Sequence, residues 1–238
     1  MRIRVIDVET TGLAAPEHTI CEIGWVDLVG QGNVWALADM GEQLCHPGRK
    51  IPPEVSAIHH IVDADVATAP AWPGVLREIC VSEGMFKPDA FCAHNARFEQ
   101  QWANAEITRS VPWICTLKAA RRLYPDAASH TNQSLRYMLD PEGLDREIAH
   151  RSHRALPDAY VSAFILRDML KVATFEDLVS WTTAPAMLTK IQFGKNKGKR
   201  FDEVDAGFLR WILDRDFDAD IKATARQELK RRERASAA

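Results

Sequence analysis

The sequence predicts an α/β protein, a mixed five-stranded sheet flanked by helices with a small C-terminal module. Three strand-like runs lie close together at the start of the chain, as suits antiparallel neighbours. Two shorter apolar runs then lead into segments of helical periodicity, the pattern of an α/β sheet with mixed pairing. Near residue 185 a break, "TTAPA", precedes a tail of different composition.

Taken in order, the strands are expected at Arg2–Val8, Thr19–Val29, Asn33–Cys45, Ala90–Ala93 and Val111–Cys115. Helical spacing of apolar residues predicts helices over Trp72–Val81, Ala96–Ala105, Leu117–Leu123, Gln133–Leu139 and, most strongly, Leu156–Val172. The break at Thr182–Ala186 divides the chain into a main domain, 1–181, and a module, 187–238, with helices over Phe208–Leu213 and Lys222–Arg232. In the module Trp211 and Leu213 are expected in the core, and Gly194 and Gly198 at hairpin turns.

At 238 residues and a net charge of −3, the chain has the ordinary hydrophobic content of a folded protein rather than a disordered one. Its five cysteines (21, 45, 80, 92 and 115) are odd in number and form no CxxC pair, which predicts reduced thiols and a cytoplasmic protein. No apolar run reaches membrane-spanning length, and Asp7 interrupts the N-terminus too early for a signal peptide, so no membrane partner is expected.

The stretch "RVIDVETTGL" places Asp7 and Glu9 on one face of a strand whose two faces both begin apolar. Like carboxylates in such a place repel and resist desolvation unless a cation joins them. Thr10, Thr11 and Gly12 then turn the chain at the carboxyl end of the strand, where open α/β sheets place their sites. Two further segments carry matching chemistry. "FCAHNARFEQQW" puts Asn95 at a helix start and Glu99 in its first turns, and "HRALPDAYVSAFIL" puts His153 on a loop five positions before Asp158. Pro157 is tolerated in a first helical turn, so the long helix starts there. Four carboxylates and a histidine suit phosphodiester hydrolysis with two divalent ions, Mg²⁺ or Mn²⁺, about 3.5–4 Å apart. Taken singly, each piece also has an ordinary role: Glu99 as a solvated helix residue, His153 on a surface loop, Asp158 at a helix N-terminus. The Asp7–Glu9 pair is what those roles explain poorly.

"IDVETTGL", "AHNARFE" and "HRALPDA" together resemble the three motifs of the DEDDh 3′→5′ exonucleases, and "AIHHIV" (57–62) their substrate-side loop. "ICTLKAARRLYP" and the tail "FGKNKGKRFDEV…FLRWIL" are most similar to the bacterial exonuclease X branch of that family. The resemblance implies an RNase H-like fold and a metal-dependent exodeoxyribonuclease acting on single-stranded or duplex 3′ ends of DNA. An exoribonuclease acting on RNA and a catalytically weak nucleic-acid-binding accessory protein are the alternatives. It further implies that Asp7, Glu9, Glu99 and Asp158 hold the metals and that His153 is the general base. Thr10, Thr11, Gly12, Leu13, His59, Asn95 and Phe98 would contact the terminal nucleotides, with Leu13 as a wedge. The family's second motif normally ends in Asp, where this chain has the longer Glu99.

In the tail, "FGKNKGKR" is not a phosphate-binding Walker loop: Gly194 and Gly198 are one residue too close, and Arg200 replaces the hydroxyl. Lys190, Lys195, Lys197, Lys199 and Arg200, with Phe193 and Phe201 interleaved, form a basic cluster open to two roles, a solvated face or nucleic-acid contact.

Overall fold

Apolar side chains on both of its faces make β1 (Arg2–Thr10) the spine of the molecule, because it can be covered from either side. The computed structural model describes residues 1–81 and 87–236, so the last two residues assigned to the module lie outside it. β1 is followed by β2 (Ile20–Gln31) and β3 (Val34–Leu44), then by helices α1 (Pro53–His59), α2 (Asp63–Val66) and α3 (Trp72–Cys80). Strands β4 (Ala90–Ala93) and β5 (Trp113–Cys115) come next, then α4 (Thr116–Leu123), α5 (Asn132–Leu139), α6 (Arg146–Ala149), α7 (Ala155–Met169) and α8 (Phe175–Thr183). The module holds α9 (Ala206–Leu213) and α10 (Ala219–Ser236).

The five strands form one sheet in the order β3-β2-β1-β4-β5, with β1, β2 and β3 antiparallel and β4 and β5 parallel to β1. Ile3 and Val5 face α7, while Ile6 and Val8 face α3 and pack with Leu76 and Phe91. Each such fully buried aliphatic side chain contributes about 1.5–3 kcal/mol. α7 is buried nearly all round, from Ala155 to Met169, which is why its sequence reads as continuously apolar rather than amphipathic.

One expected helix is absent. Ala96–Ala105 is a succession of turns around a short 3₁₀ segment, Glu99–Gln101. Asn95 has φ 73°, in the left-handed region that a helix cannot start from, and the Trp102 indole donates to the His18 carbonyl at 2.9 Å. That long-range anchor, with Phe98 packed edge-on to Trp102 at 5.0 Å, overrides the helical spacing. Conversely α8, opened by a reciprocal cap between Thr174 and Asp177, runs two residues into the expected break.

The tail has its own small core of Ile191, Phe201, Val204, Leu209, Ile212 and Ala225. Leu213 packs against it, but Trp211 is 42% exposed, contrary to expectation. Gly194 (φ 59°) and Gly198 (φ 89°) turn the chain so that Lys190 and Arg200 pair across an antiparallel bridge. Buried Asp220 joins this core to the main body, accepting from Arg121 at 2.5 Å and from the Ala186 N–H at 2.9 Å. Arg122 donates to the carbonyls of Ala184 (2.7 Å) and Pro185 (2.9 Å), so the connection is pinned. All five cysteines are free and buried, and no described helix is long and apolar enough to cross a membrane.

Candidate active site

The site forms where α7 meets the carboxyl end of β1, and a glycine lets them meet. Gly24 stands opposite Asp7 in the β1–β2 register. A Cβ there would lie 2.2 Å from the Leu156 nitrogen and 2.3 Å from the Ala155 carbonyl carbon, so the first turn of α7 rests directly on the sheet. Two positions away Glu22, fully buried and opposite Glu9, grips the same turn. It pairs with the Arg154 guanidinium and accepts from the Ala155 N–H at 2.9 Å. The pairing also satisfies what would be a third unpaired carboxylate.

This docking brings Asp158, 151 positions after Asp7 in sequence, beside the strand. One carboxylate oxygen each from Asp7, Glu9 and Asp158 lies within 4.8 Å of the others. All three side chains are half-buried, open enough for an ion to reach them. Burial, then repulsion by Asp158 and neighbouring carboxylates, raises Asp7 well above the usual carboxylate range. The same two causes push Glu9 up to about 8, and burial raises Asp158. Asp158 is oriented by Gln133, whose amide donates to Oδ1 at 3.3 Å, and by the His153 N–H, which donates to Oδ2 at 2.8 Å. His153 itself takes φ 63° and leaves its imidazole in solvent next to the cluster.

Glu99 stands outside the three-carboxylate group but feels it. Its side chain is 3% exposed, its Oε2 has no hydrogen-bond partner, and burial is the main cause that pushes it up to about 8, with Glu9 adding to the shift. The strained turn at Asn95 exposes that side chain at the end of β4 and carries Phe98 and Glu99 inward. Asparagine tolerates this backbone better than most residues.

On the other side the Thr10 hydroxyl donates to the Gly12 carbonyl at 2.6 Å, and Thr11 is buried with its N–H on the Thr19 carbonyl at 2.8 Å. That turn holds Leu13 83% exposed, a large apolar side chain presented to solvent beside the carboxylates. His59 is buried, its Nδ1 accepting from the Ile61 N–H at 3.0 Å and its ring against the Thr10 backbone. It therefore lies behind the turn rather than on its open side.

Several site-building residues were not singled out from sequence: Glu22, Gly24, Gln133, Arg154, and a network around His94. His94, two residues past Cys92, is level with Asp7, two past Val5, since Val5 and Cys92 pair. Its Nδ1 is 2.9 Å from the Thr116 hydroxyl and its Nε2 2.9 Å from the His130 carbonyl, while burial lowers its pKa to about 4. The "AHNARFE" segment shows a histidine there, but its partners lie 22 and 36 residues on.

The donors fit a hard divalent cation. They are all carboxylate oxygens, their mutual repulsion is unrelieved, and the buried Glu99 Oε2 lacks any partner. An exonuclease family model, RNase T, matches residues 5–166. Exodeoxyribonuclease 10 of Escherichia coli K12 is 34% identical over 218 residues, covering 89% of this chain and 90% of the relative. A solved structure of exonuclease X in complex with 5′-overhanging duplex DNA is 32% identical with a TM-score of 0.58, over 76% of this chain and 99% of that one. The nuclease domain of 3′hExo, a DEDDh family member solved bound to rAMP, shares the fold at 19% identity and a TM-score of 0.56, over 71% of this chain and 92% of that one.

Proposed function

The chain belongs to the RNase T exonuclease family, and we propose from that premise that it removes nucleotides from the 3′ ends of DNA, with the four carboxylates and His153 as its machinery. It is a metal-dependent 3′→5′ exonuclease with an RNase H-like fold. The observation that carries the assignment of residues is the convergence of Asp7, Glu9 and Asp158 within 4.8 Å.

Asp7, Glu9 and Asp158 would hold two Mg²⁺ (or Mn²⁺) ions, with Glu99 reaching in from below through its unpartnered Oε2. When bound, the ions supply positive charge to the scissile phosphate and lower the pKa of water. Every other part falls to the protein. The His153 imidazole, solvent-exposed and tethered by its own backbone to Asp158, takes the proton of the attacking water on a ring nitrogen. Thr10 fixes the 10–13 turn, from which Leu13 wedges against the terminal base. Asn95 contacts the terminal nucleotide, Phe98 packs beneath that contact, and buried His59 supports the turn from behind. We assign residues 1–181 to the exonuclease domain, 182–186 to a linker and 187–238 to a basic module of the exonuclease X type. Free cysteines throughout favour a cytoplasmic setting.

The alternatives, an exoribonuclease and an inactive accessory protein, are less well supported: the relative matched over 89% of the chain is a deoxyribonuclease, and the carboxylate set is complete. The test is digestion of matched, 5′-labelled single-stranded DNA, duplex DNA and RNA with Mg²⁺, Mn²⁺ or EDTA. A ladder shortening from the 3′ end of DNA, stopped by EDTA, is expected. Faster loss of RNA would overturn the substrate, and no hydrolysis with either metal would overturn the activity.

A further inference from the structure

The aromatic face of the C-terminal module is not absorbed by the chemistry above. Phe208 and Trp211, one helical turn apart on α9, stack at 5.5 Å with an interplanar angle of 21°. Phe217 braces both neighbours, lying edge-on to Trp211 at 5.4 Å and stacked on Phe193 at 4.5 Å. Phe193, Phe208 and Phe217 lean on the module's core, but Trp211 does not join it and stays 42% exposed. Phe193, Phe208 and Trp211 line a groove of about 730 Å³ that Lys195 and Lys199 also line, with Phe217 behind them. Among the described residues no carboxylate lies within ion-pairing distance of Lys195, Lys197 or Lys199, whereas the adjoining Arg200 is paired with Asp202. The acid that borders the groove, Asp205, is engaged in capping α9, accepting the Phe208 N–H at 2.9 Å.

The groove also lies at the catalytic end of the sheet. Gln192, next to Phe193, has its amide 3.3 Å from His130 Nδ1, and the His130 carbonyl meets His94 Nε2 at 2.9 Å. His94 is level with Asp7 and adjoins Asn95. Thr189 adds a bond to the Pro125 carbonyl at 2.6 Å, which fixes the module against the same loop.

We propose that this groove is a second nucleic-acid subsite that takes an unpaired DNA strand, its bases stacking on Phe208 and Trp211 and its phosphates meeting Lys195 and Lys199. The proposal rests on DNA being the substrate of the site described above. Rings held rigid by one another lose little freedom on binding, every base has a π-face, and unpaired lysines supply the phosphate contacts, so the subsite is tolerant of sequence. Its function would be to retain a strand while the 3′ end is processed.

The test is fluorescence anisotropy of labelled oligo(dT) with the full-length protein in EDTA, where hydrolysis is off. Trp211→Ala should weaken binding roughly 5- to 150-fold, and Trp211→Phe should recover most of it. Lys195→Ala combined with Lys199→Ala should weaken binding and make its dependence on log[salt] shallower by about 1.4. Trp211→Ala should change the affinity for an abasic strand or a blunt duplex far less. Equal affinity of Trp211→Ala and the parent for oligo(dT) would overturn the proposal, as would loss of self-association by Trp211→Ala with DNA affinity unchanged. Turnover of a dinucleotide, too short to span both sites, reports on the carboxylate site separately. Trp211→Ala should leave it intact, whereas failure of the parent to hydrolyse it or longer DNA would count against the active-site reading alone.

Discussion

At the carboxyl end of the sheet negative charge is concentrated and partly withdrawn from water, whereas in the C-terminal module positive charge stands in solvent. Asp7, Glu9, Glu99 and Asp158 come from three distant segments; burial lifts the pKa of all four, and repulsion by neighbouring carboxylates adds to it at Asp7, Glu9 and Glu99. The lysines from 190 to 199 come from one loop and lie exposed. The first arrangement exists only because packing forces it and needs a cation to relieve it. The second costs the fold little and depends on salt. The acidic site should therefore be sensitive to changes in geometry, proton and metal, and the basic module to ionic strength.

The largest effects should come from the carboxylates. Asp7→Ala, Glu9→Ala and Asp158→Ala should each reduce nuclease turnover in Mg²⁺ to background while circular dichroism shows a folded protein, since removing one of several like charges relieves repulsion. Glu99→Gln should be nearly as damaging and Glu99→Asp tolerated; parental activity in both would place the fourth ligand elsewhere.

His153→Ala should lower kcat about 10²–10⁴-fold, the usual loss of a general base, with metal affinity by calorimetry little changed. A collapse of metal binding would reassign His153 as a ligand.

Gly24→Ala tests whether the acidic site depends on close packing. The added methyl meets α7 backbone at 2.2 Å, so α7 must lift or tilt. A stability loss of about 1–3 kcal/mol by urea unfolding is expected, with activity falling because Asp158 rides on α7. Unchanged activity would mean that the carboxylates tolerate displacement.

In metal-free protein, pH should act on the same site with a definite sign. Glu9 is raised from 4.5 to about 8, so the fold favours its protonated form. That contribution is fully present below about pH 4.5 and is lost as pH rises through about 8. The Tm in EDTA should fall across this window, Glu9→Gln should flatten the fall, and Mg²⁺ should raise Tm most at its upper end.

The smallest effect on turnover should come from removing residues 187–238. Arg121 and Lys118 lose Asp220 but return to water, and no proposed catalytic group leaves. A raised KM, nearly unchanged kcat and a shallower salt dependence of binding are expected; equal salt slopes would assign the module a structural role.

An apolar run with two acids on one face sufficed to read β1 from sequence, and helical spacing of apolar residues located α7, because both are local patterns imposed by burial. Motif order pointed to Asp7, Glu9 and Asp158, which the fold brings within 4.8 Å of one another, and to Glu99, His153 and Asn95 as further candidates. The absent helix at 96–105 could not be foreseen, because its periodicity is genuine and is overruled by a Trp102 bond to a carbonyl 84 residues away. Trp211, whose apolar character suggests a core position, stays 42% exposed because a core the size of this module cannot cover it.

The sequence by itself determined where the charges lie along the chain, the strand pattern, and the family to which the chain belongs. Only the tertiary structure decided that Gly24 and the Glu22–Arg154 pair seat α7 on the sheet, bringing Asp158 to Asp7 and Glu9. Local patterns are set by neighbours a few residues apart and are visible in one dimension. The approach of two elements more than a hundred residues apart depends on which small side chain permits contact and which buried charge finds its partner, and that is settled only when the chain is packed.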